Sequence, residues 1–388
     1  MSLRSRARLA IATLIAVLLA LASPASVQAG GGSPGHGHHH HHHGGDRLTV
    51  MTQNLYLGSS LTPALVATTP AAFVAAVAQI YGTAVATNFP VRAEAIADTI
   101  AAEDPDLVGL QEVTNWIAQP LVAGATPPSF DFLTILQAAL AKRGLHYKVA
   151  VVSPNADIGP APLVAPPFGC GAPTSPTTPQ CVVTLQDRDV ILVNKDTRGL
   201  KVKRTSTGDY VAQQQFQPPG AATPISFARG WAALDASYKG TDFRFLTTHL
   251  EVEDFAAVQE AQAAEFLAGP ARKRGPVIAT GDFNSAADPA TTTTPTTTYA
   301  DLTASWFKDA WAVNGGDPGL TCCQNSGLTN LVSGLRTRID LVLTHGAVRT
   351  KSAHVVGDQP IASTQPVWAS DHAGVVAELR LRGSRRGH

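Results

Sequence analysis

Six short polar clusters stand at the ends of apolar runs: Gln53-Asn54, Gln111-Glu112, Thr248-His249, Asp282-Phe283-Asn284, Arg338-Ile339-Asp340 and Ser370-Asp371-His372. They supply four carboxylates (Glu112, Asp282, Asp340, Asp371), two histidines (His249, His372) and two carboxamides (Asn54, Asn284), with Arg229 as a further cation. Carboxylate and amide oxygens suit a hard cation, Mg²⁺ or Ca²⁺. Two histidines far apart in the chain suit acid–base work or phosphate contact better than a zinc cage. A single carboxylate is ordinarily a solvated surface group, and a single histidine ordinarily structural. Six clusters in order on one chain point instead to a shared rim.

A rim of that kind has to be built by strands. Side chains on a strand alternate, so Asp282 and Asn284 point one way and Phe283 points back to the core. Strands are expected at 48–53, 106–110, 147–152, 190–193, 227–236, 243–248, 277–279, 339–343 and 374–379. Amphipathic helices are expected at 91–102, opened by Pro90, at 130–142, and at 253–267, capped by Gly269. Many strands with few helices in this order suggest an α/β (α+β) chain layered around sheets. Ser153 to Gln180, rich in proline, and Ala286 to Thr298, rich in threonine, read as irregular surface insertions.

The chain has 388 residues, 44% of them apolar, which is ordinary globular composition. Arg4, Arg6 and Arg8, the apolar run Leu9 to Leu21 and the small-residue site Val27-Gln28-Ala29 read as a signal peptide over 1–29. The apolar run is shorter than the ~20 residues of a spanning helix. Removing those three arginines from 29 Lys+Arg leaves 26 against 29 Asp+Glu, or −3. A chain that is slightly acidic has no general attraction for nucleic acid, which excludes a coating or packaging protein. Gly30 to Gly45 carries six consecutive histidines and reads as a tag or spacer. The globular domain is expected over 46–382, with a short tail at 383–388. Cys170, Cys181, Cys322 and Cys323 are even in number, as in an oxidising compartment, and allow three pairings; Cys170 and Cys181 bracket a loop they would close.

Gln53-Asn54-Leu55, Leu110-Gln111-Glu112, Thr248-His249-Leu250, Gly281-Asp282-Phe283-Asn284, Arg338-Ile339-Asp340 and Ser370-Asp371-His372 together resemble the motif series of the endonuclease/exonuclease/phosphatase superfamily, which includes deoxyribonuclease I. The resemblance covers essentially the whole chain after Gly45. It implies a four-layered α/β sandwich, two packed and mainly antiparallel sheets flanked by helices, and Mg²⁺-dependent phosphoester hydrolysis, with Mn²⁺ or Ca²⁺ as alternatives. By the same resemblance Glu112 would hold the metal with Asn54 near it and Asp371 beside it. Asp282 would orient or deprotonate the attacking water, and Asn284 would hold the phosphate. His372, oriented by Asp340, would contact the scissile phosphate. His249 would contact that phosphate or protonate the leaving group, and Arg229, with Arg188 as competitor, would bind phosphate.

These readings make the chain a secreted, monomeric phosphodiesterase of nuclease type, with no obligate protein partner evident. The substrate is left open between nucleic acid, a phospholipid taken by a sphingomyelinase-like enzyme and a small phosphodiester. A phosphomonoesterase, or a non-catalytic secreted binding protein on the same scaffold, are the alternatives. A lipid-directed enzyme would want an exposed apolar segment, for which Leu163-Val164 and Phe168 are candidates.

Overall fold

Strands buried on both faces must be apolar at nearly every position, and the central runs of this chain are. In the computed structural model Val50, Leu107 and Ile191 face one way, into a core shared by two sheets, and their neighbours Met51, Val108 and Leu192 face the other, onto helices. Phe245, Ile278 and Val342 likewise meet the shared core, while Leu246, Ala279 and Leu343 turn to a third cluster under the opposite helices. The result is four layers: helices, sheet, sheet, helices. The structure describes residues 47–382 except 122, 125, 164–169, 171–178 and 180. The readings for 1–45 and for the tail, like Val164 and Phe168, lie outside the described residues.

The strands are β1 (Arg47–Asn54), β2 (Leu107–Gln111), β3 (Asn115–Pro120), β4 (Phe130–Asp131), β5 (Tyr147–Leu163), β6 (Cys181–Asn194), β7 (Leu200–Asp209), β8 (Gln214–Phe216), β9 (Ile225–Phe227), β10 (Gly230–Tyr238), β11 (Thr241–His249), β12 (Val277–Asp282), β13 (Lys308–Asp309), β14 (Asp340–His345), β15 (Val348–Val356) and β16 (Gly374–Leu381). The helices are α1 (Thr62–Leu65), α2 (Pro70–Ala86), α3 (Phe89–Glu103), α4 (Phe132–Lys142), α5 (Ala256–Ala268) and α6 (Thr298–Ser305). One sheet runs β15-β16-β1-β2-β6-β3-β4, with β5 also on β6; the other runs β13-β14-β12-β11-β10-β7. Pairing is antiparallel except for β1 with β2 and β11 with β12. Those two parallel pairs bring Asn54 beside Gln111 and His249 beside Asp282, so four polar clusters share one end of the sandwich.

Several expectations need correction. The segment 153–163 is strand, not loop: β5 continues to Leu163, absorbing its prolines at an edge through three register shifts. The helix expected from Phe130 begins at Phe132, because Asp131 caps it by accepting from Leu133 N at 3.1 Å. The strand expected at 227–236 is broken at 228–229, where Gln213 Oε1 captures the backbone N–H of Arg229 at 2.7 Å. Helix α2, capped by Thr69, and strands β3, β7 and β15 were not expected. The structure joins Cys170 to Cys181, the pair that brackets a loop. No single helix among the described residues is long and apolar enough to cross a membrane.

The two sheets approach closely at Gly109, where a Cβ would collide with the hydroxyls of Thr247 and Thr280. Beside it Gln111 Nε2 donates to Thr247 Oγ1 at 2.7 Å, a buried polar stitch just under the site. Gly109→Ala should therefore cost about 1–3 kcal/mol by overpacking. Urea denaturation checks this: an unchanged midpoint would show that the sheets have room to spare.

Candidate active site

The rim is assembled from six segments. After β2 the chain turns through Glu112 in the left-handed region (φ 52°), an uncommon conformation for a glutamate, which swings its carboxylate toward the end of β1. There Asn54 Nδ2 donates to Glu112 Oε1 (3.3 Å) and to Asp282 Oδ2 (3.0 Å), and Leu57 N donates to Glu112 Oε2 (2.5 Å). Asn54 Oδ1 is itself taken by Tyr56 N at 2.8 Å. Asn54 lies beside Glu112, as expected, and offers the carboxylates its nitrogen.

Gly281 precedes Asp282 at φ 151°, and a side chain there would strike Thr248 O on the parallel neighbour. Only glycine lets the two strands close up at this point. Asp282 Oδ1 accepts from Asn284 N (2.9 Å), while Oδ2 lies 3.5 Å from His249 Nε2 and 3.7 Å from His372 Nε2. β12 and β14 pair Asp282 with Asp340, and His372 Nδ1 lies 2.8 Å from Asp340 Oδ2. Asp371 also faces the cleft, with Oδ1 buried and without a hydrogen-bond partner.

The two histidines sit in opposite electrostatic settings. Burial disfavours charge on His372, but Asp340, Asp282 and Asp371 outweigh it and hold its pKa well above the usual imidazole value. Burial, Arg229 and the charge of His372 push His249 well below that value. Arg229 Nη1 donates to His249 Nδ1 at 2.9 Å. A guanidinium can only donate, so Nδ1 is the accepting nitrogen and the ring proton is assigned to Nε2, on the cleft side. Burial pushes Asp282 up to about 7 despite the pull of His372.

Seven of the nine residues singled out in the sequence line this cleft, and Asn54 and Asp340 lie buried behind it, Asn54 bonded to Glu112 and Asp282, and Asp340 to His372. Arg188 does not line it: it donates to Val113 O and Asp131 on the far side of β6. Tyr147 starts a strand and donates to Pro105 O at 2.7 Å, away from the site. Three supporting groups escaped notice. Asp187 and Glu251 flank Arg229 at 3.8 and 3.7 Å, and burial raises Asp187 to about 6. Arg92 is wholly buried and donates to Thr87 O, Leu55 O, Ala369 O and Tyr56 O, tying the turn after β1 to the segment entering Ser370-Asp371-His372. A signal for Arg92 existed: it shares the apolar stripe of its helix with Ile96 and Ile100, where a charge needs a reason.

Carboxylate oxygens of Glu112 and Asp371 aimed into one cleft, with Asp371 Oδ1 buried and without a hydrogen-bond partner, fit a hard divalent cation. A buried histidine–carboxylate pair beside it completes a centre able to attack a phosphoester. The family model for the Endonuclease/Exonuclease/phosphatase family matches residues 51–372, and the chain belongs to that family. Solved structures agree on the fold. A family protein from Leptotrichia buccalis C-1013-b is 15% identical with a TM-score of 0.51, over 86% of this chain and 99% of its own. One from Bacteroides vulgatus is 16% identical with a TM-score of 0.51, over 87% and 99%. One from Beutenbergia cavernae DSM 12333 is 20% identical with a TM-score of 0.51, over 88% and 73%. No curated protein shows a significant match. The family supports a phosphoester hydrolase as the activity class.

Concentrated buried acid should cost stability. Burial, with Glu112 and Asp282, pushes the Asp371 carboxyl up to about 7 even though His372 and Arg92 pull it down. A carboxyl whose folded pKa exceeds its unfolded value of 3.8 stabilises the fold while protonated, and that stability is lost as pH rises from about 4 to about 7. In EDTA, the Tm advantage of Asp371→Asn over wild type should therefore grow across that interval and level off above it. Calorimetry from pH 4 to 8 checks the sign; a pH-independent difference would contradict it.

Proposed function

We propose that the chain is a divalent-cation-dependent phosphodiesterase, exported from the cell. Export is supported by the charged, apolar and small-residue pattern of residues 1–29. The activity rests chiefly on Asp282 lying within 3.7 Å of both histidines in a cleft of about 860 Å³, with Glu112 and Asp371 opening onto the same space.

Asp282, with a pKa lifted to about 7, is suited to align a water and take its proton near neutral pH. The water oxygen bonds to phosphorus as the ester P–O bond breaks, and the leaving oxygen departs as an alkoxide or phenolate that takes its proton from solvent. His372, kept cationic by Asp340, offers Nε2–H to the phosphate oxygens as their negative charge grows. Asn284, its amide 3.0 Å from His249 Nε2, sits where it can hold the same group. Glu112 and Asp371 would hold Mg²⁺, with Mn²⁺ or Ca²⁺ as substitutes, and a cation bound there supplies Lewis-acid stabilisation of the phosphate.

His249 has two sequence-derived roles, and its setting favours one. A neutral imidazole whose Nδ1 is occupied by Arg229 donates a hydrogen bond well but releases a proton poorly, so phosphate contact is the better reading than leaving-group protonation. His249→Ala should then slow esters of poor and good leaving groups by similar factors. A loss confined to poor leaving groups, seen in a series graded by alcohol pKa, would restore the general-acid role.

Glu112→Gln keeps shape but removes the charge that a hard cation needs. It should lower kcat/KM by about 10²-fold or more, with partial recovery at high Mg²⁺. Wild-type rates in the variant at low Mg²⁺ would remove Glu112 from the metal site.

A further inference from the structure

The cleft is acidic and apolar where a nucleic-acid track would be basic. Among the described residues lining it there is no lysine, and its one arginine, Arg229, is engaged by His249, Asp187 and Glu251. Glu251 and Asp254 add negative charge to the wall. Arg336 lies in an adjoining groove, a single cation where a strand of phosphates needs a row of them.

The rest of the wall mixes polar groups, such as Ser59, Thr62, Gln214 and Gln324, with an apolar stretch built by two elements. One is α1 with its flanks, which presents Leu61, Leu65 and Val66; Val66 is 67% exposed. The other is the β8–β9 hairpin. Its register pairs Gln214 with Phe227 and Phe216 with Ile225, and alternation puts all four on one face. That face carries both phenylalanines into the cleft, while Gln215 and Ser226 face away and bond to each other at 2.9 Å. Leu61, Leu65, Phe216 and Phe227 also line a second, almost wholly apolar pocket of about 70 Å³ that continues from the cleft toward Phe73 and Trp116.

Resting on the phosphodiesterase reading, we propose that this site takes a lipid-type phosphodiester: one phosphate at the acidic centre, with an alkyl or aryl substituent seated between α1 and the β8–β9 hairpin. A single phosphate is what one cation and two histidines can match. An apolar substituent is what two phenylalanines and two leucines with no polar partner can recognise. The pocket opens from the catalytic cleft itself, so a chain on the scissile phosphate reaches it without leaving the site.

Methyl, butyl and octyl 4-nitrophenyl phosphates, compared with thymidine 5′-(4-nitrophenyl phosphate), test the proposal because all release nitrophenolate. With Mg²⁺, kcat/KM should rise by about threefold to fourfold for each methylene that reaches the pocket, and the nucleotide ester should gain nothing over the methyl ester. Phe227→Ala, and Val66→Asp on the exposed wall where folding is not at stake, should each shrink the octyl-to-methyl ratio by at least about threefold. A flat series with the methyl ester still cleaved overturns the apolar subsite and leaves the hydrolase standing. A nucleotide ester preferred over octyl, or a ratio untouched by both variants, overturns it too. No cleavage of any ester with Mg²⁺, Mn²⁺ or Ca²⁺ overturns the hydrolase reading and the subsite together.

Discussion

The structure is governed by the concentration of buried negative charge where the two sheets end together. Glu112, Asp282, Asp340 and Asp371 share a space from which water is largely withdrawn, and burial raises two of them to about 7. Carboxylates that close repel one another and stay charged only if cations and donors are fixed around them. His372 is one such cation, and Asn54 supplies donors to two of the acids. The scaffold beneath is correspondingly stiff. Gly109 and Gly281 allow close approach between sheets and between strands, and a Gln111–Thr247 stitch locks the layers under the rim.

Two buried arginines do different work on this background. Among the described residues Arg92 pairs with no carboxylate; its donors go to four backbone carbonyls, and its guanidinium lies 4.8 Å from the centre of the Phe89 ring. It fixes the loops that carry Asn54 and Asp371, and burial lowers its pKa to about 10, so it stays charged at physiological pH. Arg229 has acidic neighbours and spends its donor on His249, setting which ring nitrogen carries the proton. One arginine holds backbone and the other holds a tautomer. Neither is free to track a polyanion.

Much of this was legible in the sequence because the site residues stand at the ends of apolar runs, and strand ends in a sandwich converge. His249, Asp282 and Asp340 follow directly from the registers of β11, β12 and β14. What escaped the sequence depends on partners remote in the chain. Nothing local shows that Arg92 will reach Ala369, that Asn54 turns its nitrogen to the acids, or that Arg229 sits in a break between strands made by Gln213. The prolines of β5 misled because they weaken a central strand but are tolerated at an edge with register shifts. The β8–β9 hairpin is three residues a side, too short for its alternation to stand out before the structure pairs it.

We infer that this acidic cluster is a cation-dependent hydrolytic centre with Asp282 at its heart. The most direct measurement is hydrolysis of bis(4-nitrophenyl) phosphate by wild type and Asp282→Asn, each with Mg²⁺ and with EDTA. The account requires turnover by wild type that EDTA abolishes and Mg²⁺ restores. It also requires a drop of about 10²-fold or more in Asp282→Asn, the lower end of what a positioned base contributes. Turnover indifferent to EDTA, or a variant as fast as wild type, would contradict it.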